Sequence, residues 1–142
     1  MKYSSEITQR IRFNCDYLVL KPGGGYTIQP CLYTVDATVV STHPSEAGGR
    51  ILEFAHLKQY MQEVVPDNKF IVDQSVPQPF VKVLTDIGVS VQFVNFEICA
   101  ENLCAWIADM LKGRLYFNEV GVDVTEVVLN ENGTSTARWR NN

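Results

Sequence analysis

The side chains of this chain best suited to chemistry are four cysteines and two histidines. A thiolate can act as a nucleophile or a metal ligand, and an imidazole can carry protons or bind a metal. A structural zinc site needs such residues in closely spaced pairs, and no Cys-x-x-Cys pair occurs. The sequence predicts a loop position for His43, a surface position for His56, and buried thiols at Cys15, Cys31, Cys99 and Cys104.

A glycine-rich segment, KPGGGY at residues 21–26, could in principle hold a phosphate group. A phosphate-binding P-loop requires the pattern GxxxxGK[ST] at the start of a helix, whereas the residues that follow here favour a strand. We therefore expect this segment to be the loop of a hairpin.

Composition excludes several classes of function. A chain of 142 residues with 46% hydrophobic and 20% charged residues is typical of one globular domain, predicted to span 1–142. A net charge of −4 with scattered basic residues argues against a nucleic-acid partner. No apolar run reaches the ~20 residues of a membrane span, and the start lacks a secretory signal, so we expect a cytoplasmic location and no membrane partner.

Hydrophobic periodicity predicts the elements that position these residues. Two long strands, at 6–20 and 31–42, form a hairpin, and a third strand follows at 89–96. Apolar residues at helical spacing predict one helix from Phe54 to Pro66 and another from Ala100 to Lys112, ended by Gly113. A short helix after Pro79 is also considered, within a stretch that otherwise reads as irregular.

The C-terminal segments VGVDVTEVVLN and TSTARWR flank Asn132-Gly133, the dipeptide that best fits a type I′ turn. A second hairpin is therefore predicted. The sum is an α+β protein with an antiparallel β-sheet and two main helices on one face.

Several segments, in order, resemble the 6-pyruvoyltetrahydropterin and 6-carboxytetrahydropterin synthases. GRILEFAHLK looks like the family pattern G-[MV]-V-x-D-F-x-x-L-K, and AENLCAWIADMLK looks like P-T-x-E-N-x-A-x-x-[IL]-x-x-x-L. The resemblance implies the tunnelling fold, in which strands of several subunits close into an oligomeric barrel. A homo-oligomer, either a trimer or a hexamer, is then expected.

The resemblance also suggests where a ligand binds. Val124-Thr125-Glu126 is similar to V-x-E-T, whose glutamate holds the pterin ring in the family. A carboxylate suits this task because its two oxygens can accept a parallel pair of N–H bonds from the ring edge shared by pterins and guanine. Glu126 is thus the predicted anchor, with Cys99 and Glu101 as further ligand-binding positions at the start of the second helix. Glu101 also has a structural role to play beside the helix dipole.

The family's zinc ligands are not retained at the matching positions. Its F-x-A-x-H motif matches FNCDY, which puts Tyr17 at the histidine. Its H-G-H motif matches QPCLYTV, which puts Gln29 and Cys31 at the other two. A phenol must lose its proton to bind zinc and Gln is a weak neutral ligand, so no metal site and no cofactor are expected.

The family's catalytic groups are similarly altered. Its reactive cysteine falls on Gly25, and its Asp-His pair falls on Asp67 and Asn68. Asp67 is the one catalytic position that keeps its residue type. Because an Asn side chain exchanges no proton at neutral pH, the proton relay is interrupted.

Three hypotheses follow. In the first, the chain is a non-catalytic protein that binds a pterin- or purine-like heterocycle at a subunit interface. In the second, it is an active synthase, a carbon-oxygen or carbon-carbon lyase acting on 7,8-dihydroneopterin triphosphate, with zinc held by residues drawn from Cys15, Asp16, Cys31 and His43. In the third, it is a structural or partner-binding oligomer whose pocket is closed by Tyr17 or Tyr26.

Overall fold

The protein is described from a computed structural model, which covers residues 5–41, 52–119 and 121–141. His43 and the first residues of the GRILEFAHLK motif lie outside the described residues. In chain order the elements are β1 (Glu6–Leu20), β2 (Tyr26–Ser41), α1 (Phe54–Val64), β3 (Lys69–Val72), α2 (Gln78–Asp86), β4 (Val91–Phe93), α3 (Ala100–Asn118), β5 (Val122–Glu131) and β6 (Ser135–Arg140).

The strands form one six-stranded sheet in the order β4-β3-β1-β2-β5-β6. Four neighbouring strands, β1, β2, β5 and β6, are antiparallel to one another, as predicted. The two short strands on the other side, β3 and β4, run parallel to β1, so the sheet is mixed. The predicted α+β class is confirmed. The stretch after α1, which the sequence analysis interprets as irregular, contains the short strand β3.

The two main helices lie on one face of the sheet, as expected. On α1 the buried residues are Leu57, Met61 and Val64, and on α3 they include Leu103, Ile107 and Leu111. These side chains pack against residues of β2 that alternate along the strand, since successive strand residues point to opposite faces. The predicted core-facing set of β2 is confirmed: Tyr33, Val35, Ala37 and Val39 are each 1% exposed or less.

The helix α2 packs against the opposite face of the sheet. Its buried residues Val81 and Leu84 contact Phe70 and Val72 of β3 in a second, smaller apolar cluster. This helix is the short one considered after Pro79. Leu18 of β1 packs against the edge of the same cluster.

The helix α3 extends to Asn118 rather than ending at Gly113. A glycine ends a helix most readily by adopting a positive φ, and Gly113 does not have one. Leu115, one turn further on, is 1% exposed and continues the buried stripe. Burial of this leucine gives the chain a reason to remain helical past the glycine.

The predicted C-terminal turn is confirmed. Asn132 has φ 52° and Gly133 has φ 75°, the two positive angles that a type I′ turn requires. Asn132 also joins the turn to β2, because its side-chain oxygen accepts the N–H of Leu32 at 2.8 Å and its own N–H donates to the Leu32 carbonyl at 2.8 Å.

The ladder between β2 and β5 is interrupted between Thr38 and Val39, where the register shifts. A shift of this kind places one extra residue on one strand and reverses the alternation beyond it. As a result Val124 and Val127 of β5, an odd number of residues apart, are both fully buried. None of the described helices is long and apolar enough to cross a membrane.

Candidate functional site

The three positions that the resemblance maps onto zinc ligands lie together. Tyr17 is directly opposite Gln29 across the β1–β2 ladder, and Cys31 follows two residues later, opposite Cys15. All four residues have odd numbers in a ladder without a register shift, so they share the face of the sheet that also carries Phe13 and Tyr33. The three positions to which the resemblance maps the zinc ligands are therefore neighbours on one face of the sheet.

A carboxylate that the sequence analysis missed completes this cluster. The hydroxyl of Tyr17 and the thiol of Cys31 both lie 3.3 Å from Oε1 of Glu131, at the end of β5. Glu131 is half-buried and faces Tyr33 across the β2–β5 ladder. We call Tyr17, Cys31 and Glu131 the shared-acceptor cluster. A signal was present in the sequence: Glu131 continues the apolar alternation of Val127 and Leu129, which puts it on the core side.

The thiols and phenols of this cluster and its neighbours hold their protons. Burial raises the pKa of the Cys15 thiol from 9.0 to about 12, and the neighbouring Cys31 and Glu131 add to the effect. Burial likewise raises the pKa of Cys31, and its hydrogen bond to Glu131 acts in the same direction. Burial also raises the pKa values of Tyr17 and Tyr33. At neutral pH these thiols and phenols are therefore neutral hydrogen-bond donors.

This donor set does not fit zinc. A thiol or phenol binds the metal as its anion, and here burial and a neighbouring carboxylate both oppose loss of the proton. Gln29 adds only a weak neutral oxygen, and its side-chain amide donates to the Pro30 carbonyl at 3.1 Å. Among the residues that the structure describes, no three His, Cys, Asp or Glu side chains are grouped so that they could hold a metal ion.

The alternative zinc set is divided between the two faces of the sheet. Cys15 and Cys31 point to the core side, whereas Asp16 lies between Cys15 and Tyr17 on a strand and so points to the other side. His43 lies outside the described residues. The described part of this alternative therefore lacks a common centre.

Asp67 and Asn68 lie close to the cluster but have structural partners of their own. Oδ1 of Asp67 accepts the backbone N–H of Asn14 at 2.9 Å, and the backbone N–H of Asn68 donates to the Asn14 carbonyl at 2.6 Å. Asn68 has a positive φ of 58°, a conformation that Asn tolerates better than most residues. These contacts fix the turn that brings β3 alongside β1. Asp67 as a catalytic residue remains a prediction.

Gly25 lies at the tip of the β1–β2 hairpin. It has φ 83°, and its carbonyl accepts the backbone N–H of Lys21 at 2.9 Å to close the turn. This confirms the hairpin-loop interpretation of the KPGGGY segment. The position carries no side chain that could replace the reactive cysteine of the resemblance.

Cys99 and Glu101 stand at the start of α3, where no contact joins them to the shared-acceptor cluster among the described residues. Cys99 is the N-cap residue but makes no side-chain capping bond. The backbone N–H of Glu101, with help from the Cys99 side chain, lowers the pKa of the Glu101 carboxyl. Just before them, Phe96 and Glu97 line an open cleft of about 430 Å³ that also includes Asp73 and Asn95.

Glu126 is on the opposite face of β5 from Glu131. Its Oε2 lies 2.9 Å from Nε of Arg140 and 3.6 Å from Nε of Arg138, so it forms ion pairs with two arginines of β6. The structure does not bring it to Tyr17 or Cys31. Its role as ring anchor remains a prediction to which this geometry lends no support.

The remaining cysteine and histidine predictions can be placed. Cys15, Cys31 and Cys104 are buried as predicted. The prediction of a buried thiol is wrong for Cys99, which is partly exposed because it stands at the start of α3. The Cys104 thiol donates to the Val127 carbonyl at 3.3 Å, which gives it a structural role between α3 and β5. His56 is exposed on α1, as predicted for a surface histidine.

Comparison with known proteins agrees with the fold and with the resemblance. The profile of the family described as 6-pyruvoyl tetrahydropterin synthase matches residues 6–142. The chain belongs to this family. A search of curated protein sequences gave no significant match.

Solved structures of similar proteins cover nearly the whole chain. An uncharacterized protein from Wolinella succinogenes superimposes with a TM-score of 0.74 and 20% identity, over 99% of this chain and 100% of that one. A catalytic-residue mutant of the Plasmodium vivax 6-pyruvoyltetrahydropterin synthase gives 0.72 and 16%, over 99% of both chains. The Caenorhabditis elegans synthase gives 0.63 and 14%, over 99% and 97%. At these identities the likeness establishes the fold alone.

Proposed function

We propose that this protein is a divergent member of the family that has lost zinc-dependent catalysis and binds a pterin- or purine-like heterocycle where subunits meet. The observation that carries the proposal is the shared acceptor. Two residues that stand at mapped zinc positions, Tyr17 and Cys31, donate hydrogen bonds to Glu131 instead. The strands that carry the site are present, and the side chains at these two positions bind a carboxylate by hydrogen bonds.

Glu131 is a better candidate than Glu126 for the ring anchor. Its Oε1 is oriented by Tyr17 and Cys31, and no described residue donates a hydrogen bond to its Oε2. A carboxylate offers about four acceptor sites, so capacity remains for the paired N–H groups of a 2-amino-pyrimidinone edge. Glu126, in contrast, is engaged by Arg138 and Arg140.

The absence of catalysis is proposed from the chemistry of the residues present. The thiols of Cys15 and Cys31 have raised pKa values, so they are poor nucleophiles and poor metal ligands at neutral pH. Asn68 cannot relay a proton, and Gly25 has no reactive side chain. The proposal keeps the homo-oligomer, with β4 and β6 as unpaired edge strands, and the cytoplasmic location, where free thiols stay reduced.

The experiment compares matched carboxylate variants. Binding of 7,8-dihydroneopterin and of guanine is measured by calorimetry for the unmodified protein, Glu131→Gln and Glu126→Gln. We expect Glu131→Gln to weaken binding at least tenfold, because an amide has one acceptor oxygen and would turn an NH2 donor towards the second N–H of the ring edge. We expect Glu126→Gln to change binding less than twofold. The reverse pattern would restore Glu126 as the anchor, and no binding of either probe would favour a purely structural role.

The loss of catalysis is tested separately. Purified protein is analysed for metal, and the protein is incubated with 7,8-dihydroneopterin triphosphate and added zinc. We expect well below one zinc per subunit and no triphosphate release. About one zinc per subunit together with triphosphate release would establish the active synthase in place of the binding protein.

A further inference from the structure

The strands β3 and β4 are parallel neighbours at one side of the sheet, and the helix α2 connects them. Their pairing ends at Val72 and Phe93, and the backbone N–H of Val94 donates to the Val72 carbonyl at 2.9 Å just beyond. After β3 the chain passes to α2 on one face of the sheet, whereas after β4 it passes to α3 on the other face. Adjacent parallel strands whose connections leave towards opposite faces open a crevice at their carboxyl ends, which is where such sheets bind ligands.

A cleft lies at this point of the structure. Two open cavities of about 430 and 390 Å³ share Asp73, Gln74 and Asn95 in their walls. Residues that follow β3 form one wall, and residues that follow β4 form the other. We call the two cavities together the strand-end cleft. Each has the volume of a site for a small molecule.

The strand-end cleft offers several polar groups that can bind hydroxyl groups. The side-chain amides of Gln74, Gln78 and Asn95 form no hydrogen bond with any described residue, and each amide both donates and accepts, as a hydroxyl does. Asp73 is oriented by Ser75, because its Oδ1 accepts the backbone N–H at 2.8 Å and the hydroxyl at 2.6 Å. Its Oδ2 accepts no hydrogen bond within the described part of the chain and is available to a ligand.

Aromatic rings form the apolar part of the cleft. Phe93 and Trp106 line the same cavity, and the Phe93 side chain is 60% exposed. Phe96, in the wall of the other cavity, has its ring centroid 6.3 Å from that of Trp106. Aromatic rings present a large, rigid apolar surface, against which the C–H groups of a sugar ring can pack.

The charge of the cleft disfavours anions. Its described lining includes the carboxylates of Asp73 and Glu97 and neither Lys nor Arg. A phosphate or carboxylate group placed here would meet like charges and would lack the basic partner that recognises such groups. An uncharged ligand with several hydroxyl groups suits the combination of amides, carboxylates and aromatic rings.

We propose that the strand-end cleft binds a neutral sugar. The sugar ring packs against Phe93 and Trp106, and its hydroxyl groups are held by Asp73 and by the side-chain amides of the cleft. None of these residues belongs to the shared-acceptor cluster. The proposal therefore does not depend on Glu131 or on a bound heterocycle, and Glu131→Gln should leave sugar binding unchanged.

The test uses glucose, galactose and N-acetylglucosamine as probes. Binding is measured by saturation-transfer NMR and by the fluorescence of Trp106 in a Trp139→Phe background, which leaves Trp106 as the one tryptophan of the chain. We expect at least one of these sugars to bind with millimolar affinity and to change the Trp106 fluorescence. Absence of binding by all three would overturn the proposal.

Matched variants locate the bound sugar. Asp73→Asn keeps an acceptor for Ser75 but removes the charge, and Gln74→Ala removes an exposed amide without a structural partner, so each should weaken binding roughly fivefold. Gln59→Ala is the control, since Gln59 is exposed on α1 and does not line the cleft. Equal affinities in all three variants would place the sugar elsewhere and refute the assignment.

Two further probes test the charge of the ligand. The 6-phosphate of the sugar that binds should bind at least tenfold more weakly than the sugar itself, because the phosphate meets the carboxylates of the cleft. Putrescine, a diamine without hydroxyl groups, should not displace the sugar. Tighter binding of the phosphate, or displacement by putrescine, would rule out a site for neutral sugars.

Discussion

Sγ of Cys31 lies 3.3 Å from Oε1 of Glu131, although 100 residues separate them in the chain. This distance joins the middle of the first hairpin to the end of the fifth strand. Because the thiol has a raised pKa, it acts as a donor and orients the carboxylate. The contact therefore links β2 to the end of β5 and also fixes the position of the carboxylate in the candidate site.

Removal of this acceptor should destabilise the fold. Glu131→Ala leaves the Tyr17 hydroxyl and the Cys31 thiol without their carboxylate partner, and a half-buried donor without a partner costs about 1–3 kcal/mol. Glu126→Ala is the control, since its ion pairs are exposed and worth about 0–1 kcal/mol. Urea denaturation measures both, and equal losses in the two variants would contradict the assigned role of Glu131.

The start of α3 offers a stabilising substitution. Cys99 is the N-cap residue and makes no side-chain capping bond, so Cys99→Ser should supply one and raise the free energy of unfolding by about 1 kcal/mol. Cys99→Ala, which also removes the thiol but cannot cap, should give no such gain. Thermal denaturation distinguishes them, and identical midpoints for Ser and Ala would show that the cap does not form.

Alkaline pH should destabilise the protein through Cys15. Well below pH 9 the thiol is protonated in both the folded and unfolded states, so its contribution to stability is complete. Between pH 9 and about 12 the unfolded thiol loses its proton while the folded one keeps it. Unfolding then releases a proton, and stability falls as pH rises.

This effect is checked by urea denaturation from pH 8 to pH 11. Cys15→Ala should flatten the alkaline loss by up to about 1.4 kcal/mol per pH unit, besides lowering stability at every pH because the site is buried. Val39→Ala, another buried truncation without a titrating proton, should lower stability and leave the slope unchanged. The same slope in Cys15→Ala and the unmodified protein would refute the assignment.

Gly113 should accept alanine with a gain in stability. It lies inside α3 without a positive φ, and a Cβ added there meets no atom within 4 Å. Gly→Ala in a helix interior is worth about 1 kcal/mol. Gly88→Ala is the matched control: its site is equally open, but its φ of 87° strains alanine, so a loss is expected. Chemical denaturation should show opposite signs for the two variants.

Hydrophobic periodicity was sufficient to predict those helices and strands whose apolar pattern in the sequence matches the residues that are buried in the structure. The bounds of β1, the helix α1 and the turn at Asn132-Gly133 were all predicted, because each carries its own apolar pattern or turn residues. The strand β3 was missed since its four residues are too few to show a period. The end of α3 was missed because burial of Leu115 outweighs the usual meaning of a glycine.

The site was predicted only in part, for a reason that lies in the sheet. Counting by twos from Val122 puts Val124 and Glu126 on the same side. The register shift beside Thr38 reverses the alternation after Val124, so that Glu131 faces the core and Glu126 does not. A shift of this kind depends on the partner strand, and in the sequence of β5 its one trace is the odd spacing between Val124 and Val127.

Pro30 has a consequence for how this protein behaves at high concentration. An exposed strand edge can recruit further chains without limit and grow into fibres. Pro30 lies on the open edge of β2, so a strand that adds at this edge loses a backbone hydrogen bond at the point where pairing would begin.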